Sequence, residues 1–145
     1  MHIEVNVTKS LVRHLYGTND NQQLRDDCEE VGVLRHAWMQ VGQGDRIEIP
    51  SANWVLSTQD RKAMNKIFST LRFPTGYGAK FRSSCSKDDA YPPHGLKLYD
   101  YHKLMQHLLP VALRACFQTP ETRVLREAIY DLSNIFRYIY FFARL

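Results

Sequence analysis

Apolar side chains return every three to four positions along four stretches of the chain, the spacing that gives an α-helix one buried face. In His2–Tyr16 they are Ile3, Val7, Leu11, Val12 and Leu15, and Gly17 follows where a helix would stop. Ser57-Thr-Gln-Asp60 reads as a capping box, with Met64, Ile67, Phe68 and Leu71 as the face behind it and Pro74 beyond its end. Leu104, Met105, Leu108, Leu109, Val111 and Ala112 mark a central helix within Gly95–Arg114, and Asp100 is placed to bind its first-turn N–H groups. Pro110 falls inside that pattern and predicts a kink or two abutting helices. Thr119-Pro120-Glu121 opens the last helix, continued by Val124, Leu125, Ala128, Ile129, Leu132, Ile135 and Phe136.

The intervening segments lack this period. Thr18–Glu30 sets Asp20, Asp26, Asp27, Glu29 and Glu30 against Arg25, a block that reads as a solvated loop or helix face. Val31–Ser51, with Gly32, Gly42, Gly44 and Pro50, predicts connecting chain with one short extended segment at Ile47–Ile49. Turn chemistry marks Pro74–Gly78, and Ser83–Gly95 reads as a loop. The expectation is a mainly α fold of about five helices with long connecting loops. Ile135–Leu145 crowds five aromatics into eleven residues, a patch that predicts either a piece cut from a larger fold or a cover supplied by a second copy.

Composition adds bounds. A chain of 145 residues, 44% hydrophobic and 23% charged, suits one globular domain and argues against wholesale disorder. Its net charge of +4 and pI near 9.0 permit nucleic acid as a partner without requiring it. Cys28, Cys85 and Cys116 are scattered and odd in number, which reads as reduced thiols in a nuclear or cytoplasmic protein, not a secreted one. The most apolar run, Ile135–Ala143, is too short to span a bilayer, so no membrane partner is expected.

The run Asp100-Tyr-His-Lys-Leu-Met-Gln-His-Leu-Leu-Pro-Val-Ala-Leu-Arg114 closely resembles a motif of plant CACTA (En/Spm-type) transposases. Met1–Val7 and Ser57–Phe81, with its Pro-Thr-Gly-Tyr-Gly turn, fit in the same order. The resemblance divides the chain into residues 1–52, similar to the end of the catalytic-core region, and residues 53–145, similar to the helical domain of unknown function that follows. It implies DNA transposition by a ribonuclease-H-like core holding divalent ions on carboxylates. His2 matches the histidine of the family's Asp-x-x-His arrangement, but the aspartate would precede Met1. The expectation is a transposon-derived fragment without autonomous catalysis, with no catalytic or metal-binding residue and no cofactor of its own; the divalent metal belongs to the full-length family.

Two further readings come from the residues themselves. Arg61, Lys62, Lys66, Arg72, Lys80, Arg82 and Lys87 lie in a segment free of acids and interleaved with Phe68, Phe73, Tyr77 and Phe81. Cations neutralise phosphates and aromatics stack on unpaired bases, so this segment predicts a non-catalytic module binding DNA. Alternatively, the aromatic C-terminus serves self-association or a protein partner. A metal-dependent nuclease using His2, Glu4, Asp100 and His102 is the rival enzyme reading. His102 and His107 are five apart, poor spacing for a shared helix face, and the cap role of Asp100 is preferred.

Overall fold

The computed structural model describes residues 2–18, 21–32, 40–41, 47–48, 52–74, 81–85 and 91–142, and the fold they build is mainly α. Helix α1 (His2–Leu15) buries Val5, Thr8, Val12 and Leu15, a row spaced by three and four residues. This row is rotated from the one the apolar residues predict. Ile3 is exposed, and Glu4 and Thr8 go inside with their polar atoms bonded; the Thr8 hydroxyl donates to the Glu4 carbonyl at 2.6 Å. Gly17 ends the helix at φ +70°, its N–H donating to His14 O while Thr18 N–H reaches back to Arg13 O.

Helix α2 (Gln22–Glu30) occupies the acidic block, started by the Asn21 side chain accepting from Leu24 N–H at 2.9 Å. Its acids are exposed, whereas Arg25 is buried with its guanidinium 5.1 Å from the Trp54 ring. Strands β1 (Gln40–Val41) and β2 (Ile47–Glu48) pair antiparallel, with Gln40 opposite Glu48 and Val41 opposite Ile47. The predicted extended segment thus has a partner; Ile49 lies outside the described residues.

Helix α3 (Thr58–Thr70) starts on the predicted capping box: Ser57 Oγ accepts from Asp60 N–H at 3.1 Å, and Asp60 Oδ2 accepts from Ser57 N–H at 3.3 Å. The single turn α4 (Phe81–Ser84) sets Phe81 against Phe68 and Phe73, with ring centroids 6.2 and 5.9 Å apart.

The central rod runs through α5 (Leu98–Lys103), a π-helical turn (Leu104–Leu108) and α6 (Leu109–Ala112), and closes with a 3₁₀ turn at Leu113–Ala115. Asp100 stands at the third helical position, and its carboxylate accepts from Lys97 N–H at 2.9 Å. Pro110 stands in the first turn of α6, and the division its presence predicts falls just ahead of it, at the π-helical turn. The turn ahead of it widens, so that Leu109 N–H donates to Leu104 O, five residues back. In an α ladder, the N–H at position 110 would serve the Gln106 carbonyl, and proline has none to give. That carbonyl accepts instead from Arg137 Nε at 2.6 Å.

Arg137 belongs to α7 (Pro120–Phe142), which starts where Thr119 Oγ1 accepts from Thr122 N–H at 3.4 Å. Ile129, Ser133 and Phe136 turn inward, while Val124, Ile135, Tyr138, Ile139 and Phe142 remain exposed. One hydrophobic cluster joins Val12, Leu15 and Tyr16 near α1 to Met64 and Phe68 of α3, Leu104, Leu109 and Ala112 of the rod, and Ile129 of α7. It takes residues from both sides of the 52/53 boundary suggested by the sequence, and Leu56 N–H donates across it to Leu15 O at 2.7 Å.

Candidate functional site

The rod and α7 meet over a buried carboxylate. Glu4, on the first turn of α1, is 2% exposed; its Oε2 lies 2.8 Å from His102 Nδ1, and its Oε1 accepts from Gln106 Nε2 at 2.9 Å. His102, near the end of α5, and Gln106, within the π-helical turn, are four residues apart and share a face. The Gln106 carboxamide also reaches Phe136 O at 3.4 Å, so the three side chains tie α1, the rod and α7 together. Both donors converge on one carboxylate, which satisfies its charge in the interior.

Above this floor opens a recess of about 360 Å³, walled by Tyr99, Lys103, His107, Arg137, Tyr140 and Phe141. The Lys103 ammonium lies 4.1 Å from the Tyr99 ring centroid, and the Tyr140 ring is 3.9 Å from the His102 imidazole. Tyr99 and Phe141 are exposed at the mouth, as is His107. Burial lowers the basicity of His107, and the neighbouring positive charges of Arg137, His102 and Lys103 lower it further. The lining of the recess therefore combines cationic and aromatic side chains. A smaller recess of about 260 Å³ against α1 repeats the combination with Lys9, Arg13 and His94 beside Tyr101. There the Lys9 ammonium lies 5.1 Å from the Tyr101 ring centroid.

The basic segment named from sequence is divided by the fold. Lys62 and Lys66 stand one turn apart on the exposed face of α3, with Arg72 exposed just beyond it. Arg61 is held by the fold: its Nε donates to Leu56 O at 3.0 Å and its guanidinium lies 5.9 Å from the Tyr16 ring. Lys80 and Lys87 lie outside the described residues, as does Tyr77, and Arg82 is placed only in backbone, within α4. Phe68 and Phe81 are core residues and the half-buried Phe73 packs on Phe81, so the described aromatics of this segment serve the core.

The fold brings together only two of the four residues of the nuclease reading. Glu4 and His102 meet, Asp100 holds the start of α5, and His2 is exposed. Among the described residues, no group of three or more His, Cys, Asp or Glu side chains is arranged to hold a metal ion. No described helix is long and apolar enough to cross a membrane. Sequence reasoning missed Gln106 and Arg137. The first was detectable as the residue four beyond His102, and the second as a lone cation interrupting an apolar run.

No protein-family model, curated protein or solved structure matches this chain.

Proposed function

We propose that the chain is a non-catalytic helical module of transposase-like descent that contacts nucleic acid through the recess between the rod and α7. The observation that carries this reading is the convergence of Lys103 and Arg137, with His107, on a cavity walled by Tyr99, Tyr140 and Phe141. A cation at a concave site attracts phosphate, and aromatic faces beside it suit bases. The motif resembling CACTA transposases lends support, since His102, Lys103, Gln106 and His107 of its Asp-Tyr-His-Lys-Leu-Met-Gln-His run all line the cavity.

The test is fluorescence anisotropy of a labelled oligonucleotide across a salt series. Affinity should fall linearly with salt on logarithmic axes, and Arg137→Gln should reduce that slope by about one. Glutamine keeps an N–H for the Gln106 carbonyl while removing the charge. Reversing Lys62, Lys66 and Arg72 together should flatten the slope further if the strand continues over α3. Binding that ignores salt, or no binding at low salt, would overturn the reading. A second reading, self-association or a protein partner through the outer face of α7, is favoured by the exposure of Ile135, Tyr138, Ile139 and Phe142.

A further inference from the structure

We infer that the recess between the rod and α7 takes one unpaired nucleotide, its phosphate at Arg137 and its base against the ring faces of Tyr140 and Phe141. This inference rests on the nucleic-acid reading above and specifies its ligand. Three observations carry it.

The first is size. At about 360 Å³ the recess lies near the lower end of roughly 300–1,000 Å³ for small-molecule sites, room for a single nucleotide and not for a duplex.

The second is the pairing of chemistries. A duplex presents phosphates outward but keeps its bases stacked, so a duplex-binding surface has use for cations and little for rings. Here the cations and rings share one cavity. Arg137 is half-buried at its wall and Lys103 adds positive charge from below, with Phe141 62% exposed at the edge. An inorganic anion would use the cations alone; a neutral aromatic would use the rings alone. An unpaired nucleotide uses both.

The third is that the site is held in shape from beneath. Arg137 is fixed by its Nε donating to the carbonyl that Pro110 leaves unserved, which leaves its terminal guanidinium nitrogens for a ligand. Tyr140 is seated on His102, itself bonded to Glu4. Cations and rings that are already positioned lose little freedom on binding. The lowered basicity of His107, due first to burial and then to Arg137, His102 and Lys103, agrees with a positive field at the mouth.

The experiment compares a labelled single-stranded oligonucleotide with a duplex of the same sequence at equal salt, and adds a nucleoside monophosphate and inorganic phosphate as competitors. The single strand should bind about tenfold or more tightly than the duplex, and the monophosphate should compete where inorganic phosphate does not. Phe141→Ala should weaken single-strand binding by about fivefold to a hundredfold and leave duplex binding unchanged. Tyr140→Leu should act the same way; if it lowers the melting temperature, the exposed Phe141 variant decides. Bound single strand should also raise the pKa of His107, read from its ring proton shifts, because an added phosphate offsets the positive neighbours. Equal affinity for duplex and single strand, with both ring variants silent, overturns this inference and leaves the nucleic-acid reading standing. Failure of both nucleic acids to bind overturns the two together.

Discussion

A carboxylate buried beside an imidazole and a carboxamide needs a donor on each oxygen, and Glu4 has one from His102 and one from Gln106. Removing the carboxylate takes a buried partner from the His102 imidazole and the closest one from the Gln106 carboxamide. Glu4→Ala should therefore destabilise the fold by about 2–3 kcal/mol, read as a shift in the urea midpoint. A loss below about half a kcal/mol would show that solvent already serves these groups. Cys116 illustrates burial of another kind. Its thiol sits wholly inside, donating to Asp60 O at 3.5 Å, and desolvation with the nearby Asp60 charge pushes its pKa up to about 12. A raised acid favours the folded state while protonated, so its contribution is complete below the usual thiol range and is lost as pH climbs from there towards 12. Native protein at mildly alkaline pH should thus alkylate at Cys28, which is half-buried, well before Cys116; mass mapping of the labelled peptides checks this, and early labelling of Cys116 would mean the core opens readily.

At the scale of elements, helix starts and stops were legible in the sequence because they depend on near neighbours: Ser57 with Asp60 and Thr119 before Pro120 as starts, Gly17 after Leu15 as a stop. The buried face of α1 was not, because its partners are elsewhere. Ile3 looked internal by its spacing and is exposed, while Glu4 goes inside because the rod supplies His102 and Gln106, 98 and 102 residues away. Pro110 announced a disturbance, yet nothing local says whether a helix answers it with a kink or a π turn. The answer involves Arg137, 31 residues from the carbonyl it serves. That link can be measured. Arg137→Ala should cost about 1–3 kcal/mol by stranding the Gln106 carbonyl. Pro110→Ala restores an N–H at the position that would bond it, so the arginine should matter less in that background. A double-mutant cycle should return a coupling of about 1 kcal/mol, and strictly additive losses would separate the proline from the arginine.

Across the whole molecule, the same helix that completes the recess with its inner side leaves its outer side bare. Tyr140 and Arg137 face the rod, while Val124, Ile135, Tyr138, Ile139 and Phe142 face outward along α7. The crowding of aromatics near the C-terminus was visible in the sequence. Their division into wall and surface was not, because it depends on how α7 lies on the rod. A contiguous apolar strip on a surface favours association through the hydrophobic effect, whatever its natural cover. The isolated chain should therefore sediment faster as its concentration rises. Ile135 is 53% and Phe142 67% exposed, so changing both to Lys adds charge where little core packing is lost. The Ile135→Lys, Phe142→Lys variant should remain at the monomer sedimentation coefficient with an unchanged melting temperature and unchanged binding of single-stranded oligonucleotide. A drop in melting temperature would place these residues in the core after all. Retained association would move the contact to another face, and loss of oligonucleotide binding would mean that the two sides of α7 act as one surface.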